Sequence, residues 1–422
     1  MSAAPALPPA DVSPTVDTTP RGTSGEERPG GLFSLHLLAN RFPELHGVRV
    51  LAILSVQQVH VSCIMRTHGL VQSPDAAHFV LRSSSISFGM DLFFVLSGFL
   101  IGMMLMHATR AGELSGVRGV ARFYGRRAFR TFPLYYTVLG ALALLLPFSQ
   151  AQRENFPYEL AYLTNYATDK PGEPVVMSWG WSLCVEEHFY LIVPLLLAGL
   201  LVLRSHAARL AALTLLFLSC LAVRLWIFFA HDGPWTDEEH FHVFWIHTHT
   251  RYDTLVAGVL LAYMHFHFKD QLRAWLTRPA VHAAVASLAG ACLALLVFPF
   301  EVAGPKHFPL LMLLNWGTVS SLFYVASLTL LLHGEGPLHR AFAHRGFLLF
   351  GTLGYGAYLV HIPVFDRLVI PFLRLFTALH WSFFTVWSVG LLGMVGLSFG
   401  VAYLLHILVE KPALLLRDRL LP

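Results

Sequence analysis

Charged residues are scarce in this sequence. They make up 13% of its 422 residues, whereas a typical soluble domain has about 25%. Hydrophobic residues make up 55% of the chain, and the mean hydropathy is +0.59. The shortage of charge therefore excludes an ordinary soluble protein and indicates a chain that crosses the membrane several times.

Cysteine is also rare, and its spacing is not that of a metal or redox centre. We expect the four cysteines to be packing residues in predicted spans: Cys63, Cys184, Cys220 and Cys292. Histidines cluster between positions 231 and 249, but they match no closed zinc pattern and have no cysteine nearby. No metal is therefore expected, and the cluster is interpreted as the polar surface of an outer loop. Its members are His231, His240, His242, His247 and His249.

Apolar runs recur along the chain, and a run of about 20 residues can cross a hydrocarbon core of about 30 Å. The pattern predicts an all-α fold, a polytopic transmembrane bundle of about ten helices. The predicted spans are 46–65, 86–106, 129–148, 183–203, 209–230, 251–268, 280–300, 309–333, 346–371 and 383–409.

Lysine and arginine residues are distributed unevenly between the predicted loops. With the N-terminus on the cytoplasmic side, most of the 29 fall on that same side, as the positive-inside rule requires. Both termini are therefore predicted to be cytoplasmic. Because this asymmetry accounts for the net charge of +4, no nucleic-acid partner is expected.

The predicted organisation is one membrane domain between two short tails. Residues 1–40 are rich in Pro, Ala, Ser, Thr and Gly without an apolar period, which predicts a disordered cytoplasmic tail. Residues 41–412 form the membrane domain, and 413–422 form a short cytoplasmic tail. Since no compositional break separates a soluble module, we expect any chemistry to occur within the bundle or at its mouths.

Arg49 and His60 are aligned on one face of the first predicted helix. Eleven positions separate them, which is about 16 Å and about three helical turns. Ionisable residues inside a membrane span usually serve a site, and an imidazole can accept a proton from a hydroxyl at neutral pH. The structural alternative for His60 is a buried neutral ring bonded to another helix.

Arg127 and Arg130 lie three positions apart at the start of the third span. Residues at i and i+3 share a helix face, and guanidinium groups can bind phosphate oxygens in bidentate fashion. The pair therefore suits a phosphate-bearing ligand at the cytoplasmic mouth. Positive-inside topology and contact with lipid head groups are the simpler explanation.

A run of polar residues opens the fourth span. Two carboxylates there are stabilised by the helix dipole in the structural interpretation, but a carboxylate at membrane depth also calls for a cationic partner. The polar run contains Trp181, Ser182, Glu186, Glu187 and Tyr190. The candidate partners are Arg127, Arg224 and Arg251.

Further titratable residues fall within other predicted spans. Arg251 and Asp253 enter one span together, Asp91 lies in another, and Tyr358 precedes His361 by three positions in a third. So many ionisable groups inside predicted spans imply a cavity that is filled by water or by a ligand.

These residues form ordered motifs, and on them the chain resembles the acyltransferase family 3 membrane proteins. The resemblance covers residues 41–412. The motifs are Arg49 and His60 with ten residues between them, the run 91–99, Arg127 and Arg130, the run 181–190, Arg251-Tyr-Asp253, Tyr358 and His361, and Glu410-Lys-Pro412.

The resemblance implies transfer of an acyl group, usually acetyl, from acyl-CoA to a hydroxyl of a carbohydrate or another acceptor. It implies a catalytic role for His60, a supporting cationic role for Arg49, and contact with acyl-CoA through Arg127 and Arg130. The sequence departs from the family pattern at His46, where Asp is common, and at Gln57 and Gln58, where apolar residues are common. These departures concern acceptor fit or local electrostatics.

The leading hypothesis is an integral-membrane O-acetyltransferase of the bacterial inner membrane that uses acetyl-CoA and modifies a carbohydrate or lipid-linked glycan. His60 would act as general base, with an acyl-imidazole as the covalent variant. No fused esterase-like domain is expected. Acylation of a secondary metabolite such as a macrolide, a glycan transporter or flippase, and an inactive scaffold are the alternatives.

Overall fold

The computed structural model describes residues 42–83, 89–114, 116–167, 175–302, 307–334 and 336–421. The predicted tail 1–40 lies outside these ranges. Every regular element within them is helical, which confirms the all-α class.

Eighteen α-helices follow one another along the described chain. They are α1 (Glu44–Thr67), α2 (Pro74–Ser83), α3 (Gly89–Arg110), α4 (Gly116–Leu145), α5 (Gln150–Leu160), α6 (Thr164–Ala167), α7 (Trp181–Val202), α8 (His206–Ala230), α9 (Asp237–Phe241), α10 (Tyr252–Leu276), α11 (Pro279–Val302), α12 (Pro309–Leu314), α13 (Ser320–His333), α14 (Pro337–Phe342), α15 (Gly346–Val364), α16 (Ile370–Ala378), α17 (Phe383–Leu405) and α18 (Lys411–Leu420).

Eight helical segments in the described ranges are long and apolar enough to cross a membrane. They are α1, α3, α4, α7, α8, α11, the α12–α13 segment and the α17–α18 segment. The two remaining predicted spans, 251–268 and 346–371, coincide with α10 and with α15 and its continuation. The structure thus confirms a polytopic helical bundle, in which the last predicted span continues into α18.

The most extensive contact between helices of the described chain joins α3 to α10. A methyl group on Gly98 would collide with the backbone of Leu255, and one on Gly258 would collide with the backbone of Val95. Small residues allow helix backbones to approach closely in membrane proteins. Gly98 and Gly258 therefore let the backbones of α3 and α10 approach each other closely.

The helix between Pro309 and His333 is interrupted in the middle of the bundle. The turn Asn315–Val319 separates α12 from α13, and Gly317 within it has a φ of +110°. A side chain at Gly317 would meet the guanidinium of Arg224 and the carboxylate of Asp253. Glycine is thus required at this turn both by its backbone conformation and by the ion pair packed against it.

Candidate functional site

A cavity of about 840 Å³ lies among helices α1, α3, α4, α7 and α15. Residues of α3 from Met90 to Ala108 line it, which corresponds to about 27 Å of helix. Most of these α3 residues are apolar. The cavity is within the size range of sites for small molecules and cofactors, about 300–1,000 Å³.

Arginines dominate the polar lining of the cavity. The described lining residues include six arginines but only two glutamates, Glu113 and Glu186. The arginines are Arg49, Arg122, Arg126, Arg127, Arg130 and Arg417. The cavity therefore favours an anionic ligand.

Arg127 is held over an aromatic ring inside the cavity. Its guanidinium carbon lies 4.4 Å from the centre of the Tyr190 ring, and its Nε is buried without a hydrogen-bond partner among the described residues. The neighbouring Glu186 accepts a hydrogen bond from Ser97, while Glu187 lies within reach of Thr131. Arg127 is thus positioned by Tyr190 in the wall of the arginine-lined cavity.

Arg130 lines the same cavity but is already paired. It forms an ion pair with Glu410, and the other oxygen of Glu410 lies 2.7 Å from Nδ1 of His406. The carboxylate of Glu410 therefore balances the charge of Arg130, whereas the Nε of Arg127 is left without a partner. The sequence placed Glu410 in a motif without giving it a role.

His60 lies beside a second histidine from α15. Nδ1 of His60 is 2.8 Å from Nε2 of His361, and Nδ1 of His361 hydrogen-bonds the carbonyl oxygen of Tyr358. His361 is completely buried, and His60 is half-buried. Nδ1 of His60 therefore faces another helix of the bundle, as the structural alternative for this residue required.

Tyr358 connects the histidine pair to the cavity. Its hydroxyl lies 2.6 Å from the hydroxyl of Ser182 and donates to the carbonyl of Trp179 over 2.7 Å. Tyr358 and Ser182 line the cavity, but His60 and His361 are not among its described lining residues. The histidine pair thus lies one contact beyond the cavity wall.

Three motif residues lie away from the cavity, in two completely buried ion pairs. Arg251 pairs with Asp91, and Arg224 pairs with Asp253 over 2.6 Å. Arg251 and Asp253 are thus two positions apart in sequence but bind different partners, on α3 and α8. Arg224 and Arg251, two of the three candidate partners for the carboxylates of α7, are therefore already paired. The third candidate, Arg127, lines the cavity together with Glu186.

Trp181 also lies outside the described lining of the cavity. Its ring contacts those of Phe94 and Trp245, with centroids 6.0 and 6.1 Å apart. Trp245 in turn lies 4.5 Å from the guanidinium carbon of Arg251. Trp181 therefore packs between the cavity wall and the buried ion pairs.

The histidine cluster expected at an outer loop makes ring and hydrogen-bond contacts. Tyr166 lies against the rings of His247 and His249, and His231 stacks on Trp235 with a centroid separation of 3.9 Å. Within the described ranges, no three His, Cys, Asp or Glu side chains are grouped so that they could hold a metal ion.

Several cavity residues were not singled out from the sequence. Arg122 and Arg126 precede Arg130 at intervals of four on α4, so helical spacing was a signal for both. Tyr355 and Arg417 gave no comparable signal, because their place in the lining depends on how distant helices pack.

Comparison with known proteins supplies an independent observation. A family model described as an acyltransferase domain matches residues 42–405. The putative peptidoglycan O-acetyltransferase YrhL of Bacillus subtilis is 29% identical over 205 residues, which cover 45% of this chain and 29% of that protein. No solved structure matches the chain significantly.

Two further relatives match over a longer stretch. The peptidoglycan O-acetyltransferase OatA of Listeria monocytogenes is 24% identical over 337 residues, covering 76% of this chain and 49% of that protein. A putative O-acetyltransferase of Staphylococcus aureus is 25% identical over 340 residues, covering 76% and 50%. The chain thus spans at most about half the length of these curated relatives.

Proposed function

The chain belongs to this acyltransferase family, and from that premise we propose that it transfers an acetyl group from acetyl-CoA to a hydroxyl of a carbohydrate. The observation that carries the proposal is the cavity, which extends from the arginines of α4 to Tyr358 and Ser182, next to the His60–His361 pair. It offers an anion-binding mouth at one end, and its wall at Tyr358 is in direct contact with the histidine pair at the other.

The arginine end suits the phosphates of an acyl-CoA. Arg127 would bind phosphate oxygens with help from Arg49 and Arg122, since guanidinium groups bind phosphate bidentately. Arg130, balanced by Glu410, would contribute less. The apolar stretch along α3 would then hold the flexible arm of the donor and direct its thioester toward Tyr358.

His60 would act as the general base. It takes the proton from the acceptor hydroxyl while the hydroxyl oxygen forms a bond to the thioester carbonyl carbon. The C–S bond then breaks, and the leaving thiolate takes the proton from His60, which regenerates the neutral imidazole and releases free CoA. Attack by His60 itself, giving an acyl-imidazole, is the covalent version of the same transfer.

The comparisons support the proposed acceptor class, and the charge distribution supports the proposed orientation in the membrane. Two of the relatives carry the name peptidoglycan O-acetyltransferase, which supports a glycan acceptor over a secondary metabolite such as a macrolide. The positive-inside rule supports an orientation in the bacterial inner membrane with the arginine mouth on the cytoplasmic side, where acetyl-CoA is available.

Membranes containing the wild-type protein or His60→Ala test the proposal. With acetyl-CoA labelled in the acetyl group, wild-type membranes should transfer label to glycan, and His60→Ala should reduce transfer about 100- to 10,000-fold, since it removes the group that takes the acceptor proton. The variant should be produced and fold as well as the parent.

Two outcomes would contradict the proposal. Transfer retained by His60→Ala would remove His60 as the base. Glycan movement across the membrane without consumption of acetyl-CoA would favour the transporter alternative.

A further inference from the structure

The two hydrogen bonds of His361 leave it only one arrangement of protons when it is neutral. Its Nδ1 faces the carbonyl oxygen of Tyr358, and a carbonyl oxygen can only accept. Nδ1 of His361 therefore carries the proton. A neutral imidazole has one N–H, so Nε2 of His361 is an acceptor.

The proton position on His60 follows from that of His361. Nδ1 of His60 lies 2.8 Å from the acceptor Nε2 of His361, so Nδ1 must be the donor. In neutral His60 this leaves the lone pair on Nε2, on the opposite side of the ring. Among the described residues, the hydrogen bond of His60 is the one at Nδ1, so no donor from these residues occupies the lone pair on Nε2.

The surroundings of His361 favour its neutral form. The ring is completely buried and is surrounded by His60 of α1, Tyr358 of its own helix, and Trp179 beside α7. None of these contacts is a carboxylate, and burying an unpaired charge is unfavourable. The neutral proton order is therefore the one that the packing supports.

We propose that His361 is a positioning residue that holds His60 in the tautomer with a free Nε2, so that this nitrogen receives the proton of the acceptor hydroxyl. This inference rests on the proposed function. Both nitrogens of His361 are occupied, one by Tyr358 and one by His60, so His361 has no nitrogen with which to deprotonate a substrate. Partners that fix the tautomer of metal-ligating histidines contribute about 10- to 100-fold to metal affinity or activity, and we expect an effect of the same order for His60.

Replacement of His361 by leucine and by glutamine separates positioning from packing. His361→Leu fills a similar volume without an acceptor, so His60 can adopt the unproductive tautomer. We expect kcat to fall about 100-fold, with KM for acetyl-CoA changed less than about twofold, because donor binding does not involve this bond. His361→Gln offers an amide oxygen near the position of Nε2 and should restore most of kcat.

A matched control is His265→Leu. His265 is also buried, stacks on His333 with a centroid separation of 5.1 Å, and is not among the described residues that line the cavity. Its replacement should leave kcat per folded protein unchanged.

If the His361→Leu variant does not fold, His361→Asn takes its place in the experiment, since the shorter asparagine amide does not reach His60.

The outcomes distinguish the inference from the proposed function. If the wild-type protein transfers no label or His60→Ala remains active, the proposed function fails. If transfer depends on His60 but His361→Gln is no better than the Leu or Asn variant, or if those variants raise KM at unchanged kcat, the positioning role of His361 is refuted alone.

Discussion

At the scale of single residues, the arginines of this protein differ in what surrounds them. Arg127 lies on the Tyr190 ring with an unpartnered Nε, Arg130 is balanced by Glu410, and Arg224 and Arg251 are completely buried in ion pairs. Only an arginine whose charge is not already paired has much to gain from binding a phosphate. The distinction predicts different results for replacing Arg127 and Arg130.

Arg127→Gln should weaken donor binding. Loss of a charged hydrogen bond to phosphate removes about 1.5–3 kcal/mol, so KM for acetyl-CoA should rise about 10- to 100-fold with little change in kcat. Steady-state kinetics in membranes measure both constants. Arg204→Gln, at an exposed position between α7 and α8, is the matched control and should change neither constant.

Arg130→Gln should act mainly on stability. The substitution leaves the carboxylate of Glu410 without its cationic partner. The Arg130→Gln variant should therefore have a lower melting temperature than the Arg127→Gln variant. Thermal unfolding in detergent makes this comparison. Equal melting temperatures for the two variants would show that the Arg130–Glu410 pair has no structural role.

At the scale of helices, the buried ion pairs join elements that are separate in sequence. Asp91 on α3 binds Arg251 just before α10, and Ser320 at the start of α13 donates to the same carboxylate. Arg224 on α8 binds Asp253 on α10 and the backbone carbonyl of Thr250. The motif that contains Arg251 and Asp253 therefore fastens α3, α8, α10 and α13 together.

Breaking the Arg224–Asp253 pair should destabilise the bundle. Asp253→Leu leaves the Arg224 guanidinium buried without its carboxylate, which costs about 3–5 kcal/mol. The double variant Arg224→Met with Asp253→Leu removes both charges and should recover much of the loss. The free energies of unfolding of the parent, both single variants and the double variant together give the coupling energy between the two residues.

Activity measurements on the same variants test the assignment of this pair to structure. Transfer per folded protein should remain near that of the parent in the double variant, because neither residue is among the described residues that line the cavity. A stable double variant without transfer would instead give Arg224 or Asp253 a role in the reaction.

At the scale of the whole molecule, the proposed reaction needs one particular orientation in the membrane. The arginine end of the cavity must face the cytoplasm, where acetyl-CoA is found, and the loop before α9 must then face outward. Asp232 is exposed in that loop, which precedes α10 in the chain. Asp270 is exposed near the C-terminal end of α10. The two positions should therefore lie on opposite sides of the membrane.

Labelling with a membrane-impermeant maleimide determines the orientation. Asp232→Cys, made together with Cys63→Ser because Cys63 is the exposed native cysteine of the described chain, should be labelled in intact cells. Asp270→Cys in the same background should be labelled only after the membrane is opened. The reverse pattern would place the arginine mouth outside and rule out cytoplasmic acetyl-CoA as the donor.

The sequence by itself determined the helical membrane class and the approximate positions of the spans, because hydropathy and helix length are local properties. It also aligned Arg49 with His60 and Arg127 with Arg130, because helical periodicity places such residues on one face. Periodicity does not determine which other helix a given face meets.

Only the tertiary structure decided the partners. His60 meets His361 across 301 positions of sequence and Arg130 meets Glu410 across 280, while Arg251 and Asp253 diverge to separate helices although they are nearly adjacent. Such contacts depend on the packing of the whole bundle, where interior surfaces must fit and buried charges must be paired. The local pattern of residues therefore identifies the candidate functional residues. The packing of the helices decides which of them line the cavity and which form the ion pairs that hold the bundle together.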